Sequence, residues 1–137
     1  MNKMVGMKTS FTIDSKSESI QIVEKHIDEI CKEISINEDF YGNILIAVTE
    51  AVNNAIHHGN KSNPAKSVKI DVEKTEDQLL FKVEDDGDGF DFDNLPDPTD
   101  PANIEKPHGR GVFLMKNLAD EVEFEDSGKT AILKFNA

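Results

Sequence analysis

The stretch EAVNNAIHHGN, residues 50–60, is typical of a helix end but has an unusual polar face. On a helical wheel of about 100° per residue, the polar side chains share one side: Glu50, Asn53, Asn54, His57 and His58. A solvated face usually favours Lys, Glu and Arg, whereas residues 42–59 contain no Lys or Arg. Because an Asn one turn after a carboxylate supplies oxygen ligands for a hard cation, the pattern indicates a magnesium site. An ordinary solvent-exposed face is the alternative.

Outward from this helix, apolar periodicity defines the other elements. It predicts helices from Glu18 to about Ile34 and from about Asp39 to His58. Strands are predicted over residues 7–14, 67–74, 78–85, 121–126 and 130–136, with a short helix over 112–120. The order predicts an α+β two-layer sandwich in a single domain, residues 1–137. Its sheet is expected to be mixed but mainly antiparallel, with about three helices on one face.

A long glycine- and proline-rich connection, residues 85–111, separates the second hairpin strand from the short helix. It holds four of the five prolines and four of the eight glycines, and a connection of this length is usually functional or mobile. At its start, Gly87 and Gly89 permit positive φ and a close backbone approach to a ligand, although a plain acidic turn is the alternative. At its end, Gly109 and Gly111 immediately precede the predicted helix. Free backbone N–H groups and the helix dipole there favour an anion.

Other well-known ligand motifs do not fit. Adjacent His57 and His58 cannot both face one zinc ion from a helix, and no His-Glu-x-x-His motif is present. A calcium-binding EF-hand frame starting at Glu84 would place Leu95 where a bidentate Glu is needed. The Gly-Lys-Thr at 128–130 lacks the upstream glycine of a phosphate-binding P-loop.

Composition excludes several partners. The formal net charge is −12 without a cluster of Lys and Arg, which argues against direct binding of nucleic acid or anionic lipid. The single cysteine, Cys31, cannot form an internal disulfide and is expected on the buried side of a helix. The chain shows no signal peptide and no apolar run that could span a membrane, so a cytoplasmic protein is expected.

Three short motifs in order carry a resemblance to a known superfamily. Glu50-x-x-x-Asn54, Asp85-x-Gly87-x-Gly89 and Gly109-x-Gly111 resemble the N, G1 and G2 boxes of the Bergerat-fold (GHKL) ATPases, which include gyrase and the histidine kinases. The resemblance covers residues 10–136. Within the superfamily, the chain is most similar to the small stand-alone anti-sigma-factor serine/threonine kinases of bacteria, whose N box closely matches residues 50–60.

The resemblance implies a role for each matching position. Asn54 would coordinate Mg²⁺ that bridges the phosphates, and Glu50 would act as the general base. Asp85 would accept a hydrogen bond from the adenine amino group, and Thr130 would support the adenine end. The remaining nucleotide-binding positions would be Gly87, Gly89, Lys106, Gly109, Arg110, Gly111 and Val112, and residues 91–108 would form the ATP lid.

The implied function is that of an ATP-dependent serine/threonine protein kinase that is also an anti-sigma factor. In a partner-switching pathway, such a protein binds a sigma factor and phosphorylates an antagonist (anti-anti-sigma) protein, and its relatives usually form homodimers through the first sheet region. One alternative is a non-catalytic ATP-binding interaction module. A histidine-kinase fragment is disfavoured because His26 lacks a dimerisation-helix context, and membership of an unrelated α+β family is a further alternative.

Overall fold

A five-stranded sheet forms one layer of the protein. The computed structural model describes residues 6–34, 36–87 and 107–136, with the backbone alone described at 107–110 and 127. The strands are β1 (Lys8–Asp14), β2 (Ser67–Lys74), β3 (Gln78–Glu84), β4 (Glu121–Glu125) and β5 (Thr130–Asn136). Their spatial order is β1-β2-β3-β5-β4, and each of these neighbouring pairs is antiparallel.

Three helices form the second layer: α1 (Ile20–Glu33), α2 (Glu38–Asn54) and α3 (Pro107–Leu118). Asn37 caps α2, because its Oδ1 accepts a hydrogen bond from the N–H of Asp39 at 2.8 Å. After Asn54, α2 widens into a π-helical turn, Ala55–Gly59. Among the described residues, no helix has both the length and the apolar content needed to cross a bilayer.

The core lies between these two layers because the strands alternate buried and polar positions. On β2, β3 and β5 every second residue is buried, as at Val72, Phe81 and Leu133. The apolar faces of α1 and α2 cover them with side chains such as Ile27 and Val48. The predicted α+β class and element order are therefore confirmed.

Cys31 lies in this core on α1, and burial raises the pKa of its thiol to about 11. The opposite face of the sheet is polar, with an ion pair between Lys134 and Glu123 at 3.1 Å.

Two predicted boundaries are wrong, and both concern the site. The N-box helix keeps α-helical geometry only to Asn54, so the predicted wheel does not apply to His57 and His58. The helix α3 starts at Pro107, five positions before the predicted start at Val112. Gly109 and Gly111 thus lie inside the helix and not ahead of it. As the fifth residue of α3, Gly111 is placed to donate its N–H to the carbonyl of the first, so that amide is not free for an anion.

Candidate functional site

Helices α2 and α3 bring Glu50, Asn54 and Gly111 together. A Cβ atom placed on Gly111 would stand 3.1 Å from Oε2 of Glu50 and 3.2 Å from Oδ1 of Asn54. These are tighter than ordinary van der Waals distances, so the α3 backbone approaches both side chains as closely as a glycine allows. The N box and the G2 box therefore meet in space, although 54 residues lie between Asn54 and Gly109 in the printed sequence.

Asn54 has an unsatisfied polar atom at this meeting point. Its side-chain Nδ2 is buried and has no hydrogen-bond partner among the residues that the structure describes. Leaving a buried amide unpaired costs about 1–3 kcal/mol, and native structures keep such groups only for a reason. A carboxamide offers both an acceptor oxygen and N–H donors. The unpaired Nδ2 is a donor beside the Glu50 carboxylate, so it fits a site that is completed by an acceptor, such as a phosphate oxygen or a water molecule that hydrates a cation.

Asp85 lies at the other end of the site, immediately after β3. Its backbone N–H donates to the carbonyl of Lys129 at 3.0 Å, and its Oδ1 accepts the N–H of Gly87 at 2.8 Å. Burial raises the pKa of the Asp85 carboxyl above its usual value, while the hydrogen bond from Gly87 acts in the opposite direction. A partly desolvated carboxylate held by its own loop is suited to accepting a hydrogen bond from a ligand.

Two glycines allow the Asp85 loop to lie against the end of the N-box helix. A Cβ atom on Gly59 would overlap the Asp85 carboxylate, and one on Gly87 would overlap the carbonyl of Gly59. Neither glycine has a positive φ. The role of Gly87 in this structure is therefore a close approach to Gly59, and not the positive φ that the sequence suggested.

The π-helical turn contains both histidines and gives them different neighbours. The N–H of Asn60 donates to the carbonyl of Ala55 at 2.8 Å, the five-residue span that defines this turn. Both histidines are exposed, and Nδ1 of His57 lies 2.8 Å from the hydroxyl of Ser62. His58 lines the cleft, and burial, assisted by the nearby His57, lowers the pKa of its imidazole. His58 is therefore the histidine beside the site, and the lowered pKa favours its neutral form.

A cleft connects the Asn54 end to the Asp85 end. It is lined by Ala51, Asn54, Ala55, His58, Gly59, Val83, Asp85, Met115, Phe124, Gly128, Lys129 and Ala131. Apolar walls with a few convergent polar groups suit a small-molecule site, although the cavity among the described residues has a volume of only about 20 Å³. The described residues contain no group of three or more His, Cys, Asp or Glu side chains able to hold a metal. A cation here would therefore be held by few protein groups, as Mg²⁺ often is.

The other predicted positions divide into three groups. Val112 is buried in the core, at 2% exposure, so its side chain packs and does not face the cleft. Thr130 is buried, and its hydroxyl donates to Asp126 at 3.4 Å. It pairs with Glu84 across the sheet and is not among the residues that line the cleft. Gly89, Lys106 and most of the predicted lid, residues 91–106, lie outside the described residues, and for Gly109 and Arg110 the backbone alone is described, in α3.

Sequence reasoning missed three residues of the site: Gly59, Asn60 and Lys129. The first two stand at the end of the quoted stretch, but their partners follow β3, so no local pattern reveals the contact. Lys129 lines the cleft near Asp85. Its Gly-Lys-Thr context was a signal, although the P-loop comparison correctly excluded the better-known motif that contains it.

Comparison with known proteins identifies the family of the chain. The model of the histidine kinase-like ATPase domain family matches residues 13–135, and the chain belongs to this family. The resemblance drawn from the three boxes is thereby confirmed.

The relatives are bacterial kinases. The Serine-protein kinase RsbW of Bacillus cereus (strain Q1) is 28% identical over 133 residues, which cover 92% of this chain and 82% of the relative. The protein of the same name from Bacillus anthracis (strain A0248) is 27% identical with the same coverage. The crystal structure of the RsbU and RsbW domains of Rv1364c from Mycobacterium tuberculosis matches with a TM-score of 0.69. That match covers 95% of this chain and 32% of that one, and at 18% identity it shows the shared fold alone.

Proposed function

We propose that this chain is an ATP-dependent serine/threonine protein kinase that acts as an anti-sigma factor in a bacterial partner-switching pathway. The observation that carries the proposal is the contact of Glu50, Asn54 and Gly111 in a cleft that ends at Asp85, where the buried Nδ2 of Asn54 has no hydrogen-bond partner within the described part of the chain. The similarity to proteins named Serine-protein kinase RsbW supports the choice of substrate class.

At the adenine end, the free oxygen of Asp85 would accept a hydrogen bond from the exocyclic amino group of ATP. Its other oxygen already accepts the Gly87 N–H, which fixes the orientation of the carboxylate. Guanine presents a carbonyl oxygen at that position and would face a carboxylate without a donor. The apolar residues Val83 and Met115 in the cleft wall would contact the base.

At the phosphate end, Asn54 would hold Mg²⁺, which neutralises charge on the phosphates when bound. Lys106 and Arg110 are proposed to add positive charge at this end, which offsets the net charge of −12 locally. In the transfer, the hydroxyl oxygen of the protein substrate bonds to the γ-phosphorus while the bond to the bridging oxygen breaks and releases ADP. Glu50 takes the hydroxyl proton.

The partners proposed are a sigma factor and an antagonist protein that carries the acceptor serine or threonine. A homodimer and a cytoplasmic location are proposed with them, on the similarity to the named relatives.

Transfer of the γ-phosphate of labelled ATP to a candidate antagonist tests the proposal. We expect transfer by the wild-type protein and at least about a hundredfold loss in Glu50→Gln, because a general base contributes roughly 10²–10⁴-fold. Glu33→Gln, at the exposed end of α1, is the matched control and should transfer normally. Absence of transfer by the wild type to any antagonist of this pathway would contradict the kinase assignment.

A non-catalytic ATP-binding module is the second candidate. The observation that favours it is the packing of the α3 backbone onto Glu50, which leaves the carboxylate facing a helix. Under this alternative, Glu50→Gln would bind ATP and the sigma factor as the wild type does, and neither would transfer phosphate.

A further inference from the structure

Asn60 is a buried polar residue to which the reaction gives no role. It is 1% exposed and uses its whole carboxamide in hydrogen bonds. Its Nδ2 donates to the hydroxyl of Ser15 at 2.8 Å and to the carbonyl of Ser67 at 3.0 Å. Its Oδ1 accepts the backbone N–H of Asp86 at 2.8 Å. A side chain with both donors and its acceptor satisfied below the surface has a defined position and fixes its partners in turn.

The partners of Asn60 belong to three separate segments. Ser15 follows β1 and its hydroxyl donates to the carbonyl of Lys66, so the connection extends to the start of β2. Asp86 follows β3, and its carboxylate accepts the N–H of Ser67 at 3.3 Å. Asn60 itself ends the π-helical turn that begins one residue after Asn54. One side chain therefore ties the end of the N-box helix to the loop that carries Asp85.

Asp85 is held between two backbone anchors. On one side its own N–H bonds to the carbonyl of Lys129, and on the other the next N–H, that of Asp86, bonds to Asn60. The neighbouring contact of Gly59 with the Asp85 carboxylate depends on the same alignment of the two segments. Loss of the Asn60 anchor would leave the Asp85 loop fixed at one end only.

We propose that Asn60 is a positioning residue that sets the purine specificity of the cleft by fixing the Asp85 loop. The inference rests on the proposed function, in which Asp85 reads the amino group of adenine. A carboxylate rejects a carbonyl oxygen only if it cannot move away from it, because rejection arises from a buried group left without its hydrogen bond. With its loop anchored, Asp85 cannot move away from a carbonyl oxygen, so its hydrogen bond distinguishes adenine from guanine.

Few side chains could replace Asn60 and keep its hydrogen bonds. Alanine would leave the Asp86 N–H and the Ser67 carbonyl without their partner. Aspartate would keep an acceptor for the Asp86 N–H but lose both donors and bury a charge. Asn60→Asp is therefore a partial variant, and Ser15→Ala removes one bond of the three while leaving Asn60 in place.

Calorimetric titration of ATP and of GTP, each with Mg²⁺, into matched variants tests the proposal. We expect Asn60→Ala to weaken ATP binding about tenfold while GTP binding stays weak and unchanged, so that the ATP-to-GTP preference falls about tenfold. Asn60→Asp and Ser15→Ala should shift the preference in the same direction by less. The control is Asn63→Ala, an exposed asparagine whose Oδ1 accepts the Ala65 N–H at 3.0 Å, and it should keep the wild-type preference.

A merely structural role gives a different result. If Asn60 only stabilises the fold, the folded fraction of Asn60→Ala would bind ATP and GTP with the wild-type ratio, and this outcome would overturn the proposal. If Asn60→Ala does not fold, Ser15→Ala and Asn60→Asp carry the same test. A wild-type ratio in every variant that folds rejects the proposed role of Asn60.

Amide hydrogen exchange separates this inference from the proposed function. In Asn60→Ala or Ser15→Ala, the Asp86 N–H should exchange at least several-fold faster, while the Asp85 N–H, bonded to Lys129, keeps its protection. Failure of the wild type to bind ATP together with faster Asp86 exchange would contradict the nucleotide function and leave the anchoring by Asn60 established. Unchanged Asp86 exchange would overturn the anchoring, whatever the nucleotide binding shows.

Discussion

The two ends of the cleft are built in opposite ways. At the Asp85 end, the loop is fixed before any ligand binds: the Gly87 N–H donates to Asp85, and the Lys129 carbonyl and the Asn60 Oδ1 accept the N–H groups of Asp85 and Asp86. At the Asn54 end, the side chains meet α3 through close contact, and a buried amide has no hydrogen-bond partner among the described residues.

This difference indicates a division of labour within one site. A group that selects among bases must be rigid in advance, because its selectivity depends on its inability to adjust. A group that receives a hydrated cation and phosphates can be left incomplete, since the ligand supplies the missing bonds and thereby stabilises the folded protein. We therefore expect the Asp85 end, which is rigid before binding, to set the base specificity. We expect ligand binding at the Asn54 end, which is incomplete without ligand, to raise the stability of the folded protein.

The largest expected effect comes from Gly87→Ala, which changes the rigid Asp85 end of the cleft. The new Cβ would overlap the carbonyl of Gly59, so one of two backbone segments must move. We expect a loss of about 3 kcal/mol in the free energy of unfolding, at the upper end of the cost of overpacking, together with loss of ATP binding. Urea denaturation and calorimetry measure the two quantities.

Gly42→Ala is the matched control, because nothing lies within 4 Å of a Cβ placed on that glycine of α2. Its stability should rise by about 0.5–1 kcal/mol, since alanine favours a helix interior over glycine. Equal stabilities of Gly87→Ala and the wild type would show that the close approach of the two loops is not required.

The close approach of Gly87 to Gly59, which Gly87→Ala would break, could not be predicted from the sequence. Helix and strand periodicity is local and repeated, so the element order and the shared face of Glu50 and Asn54 could be read from it. The approach of Gly59 to Gly87 joins two segments that are distant along the chain, and it depends on how the π-helical turn widens the end of α2. No local propensity encodes that geometry.

The start of α3 shows the same limit for a different reason. Proline at the first position of a helix is favoured, because its missing N–H has no partner there in any case. Pro107 is therefore a valid start signal, whereas the sequence prediction places Gly109 and Gly111 ahead of the helix, and glycine disfavours helix interiors. Packing of Gly111 onto Glu50 and Asn54 overrides that local preference.

A pair of asparagines gives the second, intermediate effect. Asn54→Ala removes a buried Nδ2 that has no hydrogen-bond partner among the residues described, so the free energy of unfolding without ligand should change by less than about 1 kcal/mol. Asn60→Ala removes a fully bonded amide and should cost about 1–3 kcal/mol. Thermal unfolding of both variants measures this difference.

Added Mg²⁺ and ATP should reverse the ranking of the two variants. The ligand should raise the melting temperature of the wild type and of Asn60→Ala, but not that of Asn54→Ala, which lacks the proposed Mg²⁺ ligand. A large destabilisation of ligand-free Asn54→Ala would mean that this amide has a structural partner, and the contrast between the two ends would not hold.

The smallest expected effect is the pH dependence that Asp85 contributes. Burial raises the pKa of this carboxyl in the folded state above its unfolded value, so the folded protein binds the proton more strongly. The stabilisation from protonated Asp85 is fully present below the unfolded pKa of about 3.9 and is lost as the pH rises through the folded pKa. At neutral pH the ionised group is therefore a net cost to stability. That cost is a fraction of a kcal/mol, because the side chain is only partly buried and solvent screens it.

Asp85→Asn should remove this cost, with a slight gain in melting temperature at pH 7 that disappears near pH 4. The same substitution should abolish the preference for ATP over GTP, because a carboxamide presents donors as well as an acceptor to the base. Asp77→Asn, on the hairpin turn between β2 and β3, is an exposed control that should show neither change. If Asp85→Asn is less stable than the wild type at pH 7, the ionised carboxylate must gain more from the Gly87 N–H than it loses by burial. The rigid end of the cleft would then be held by charge as well as by backbone geometry.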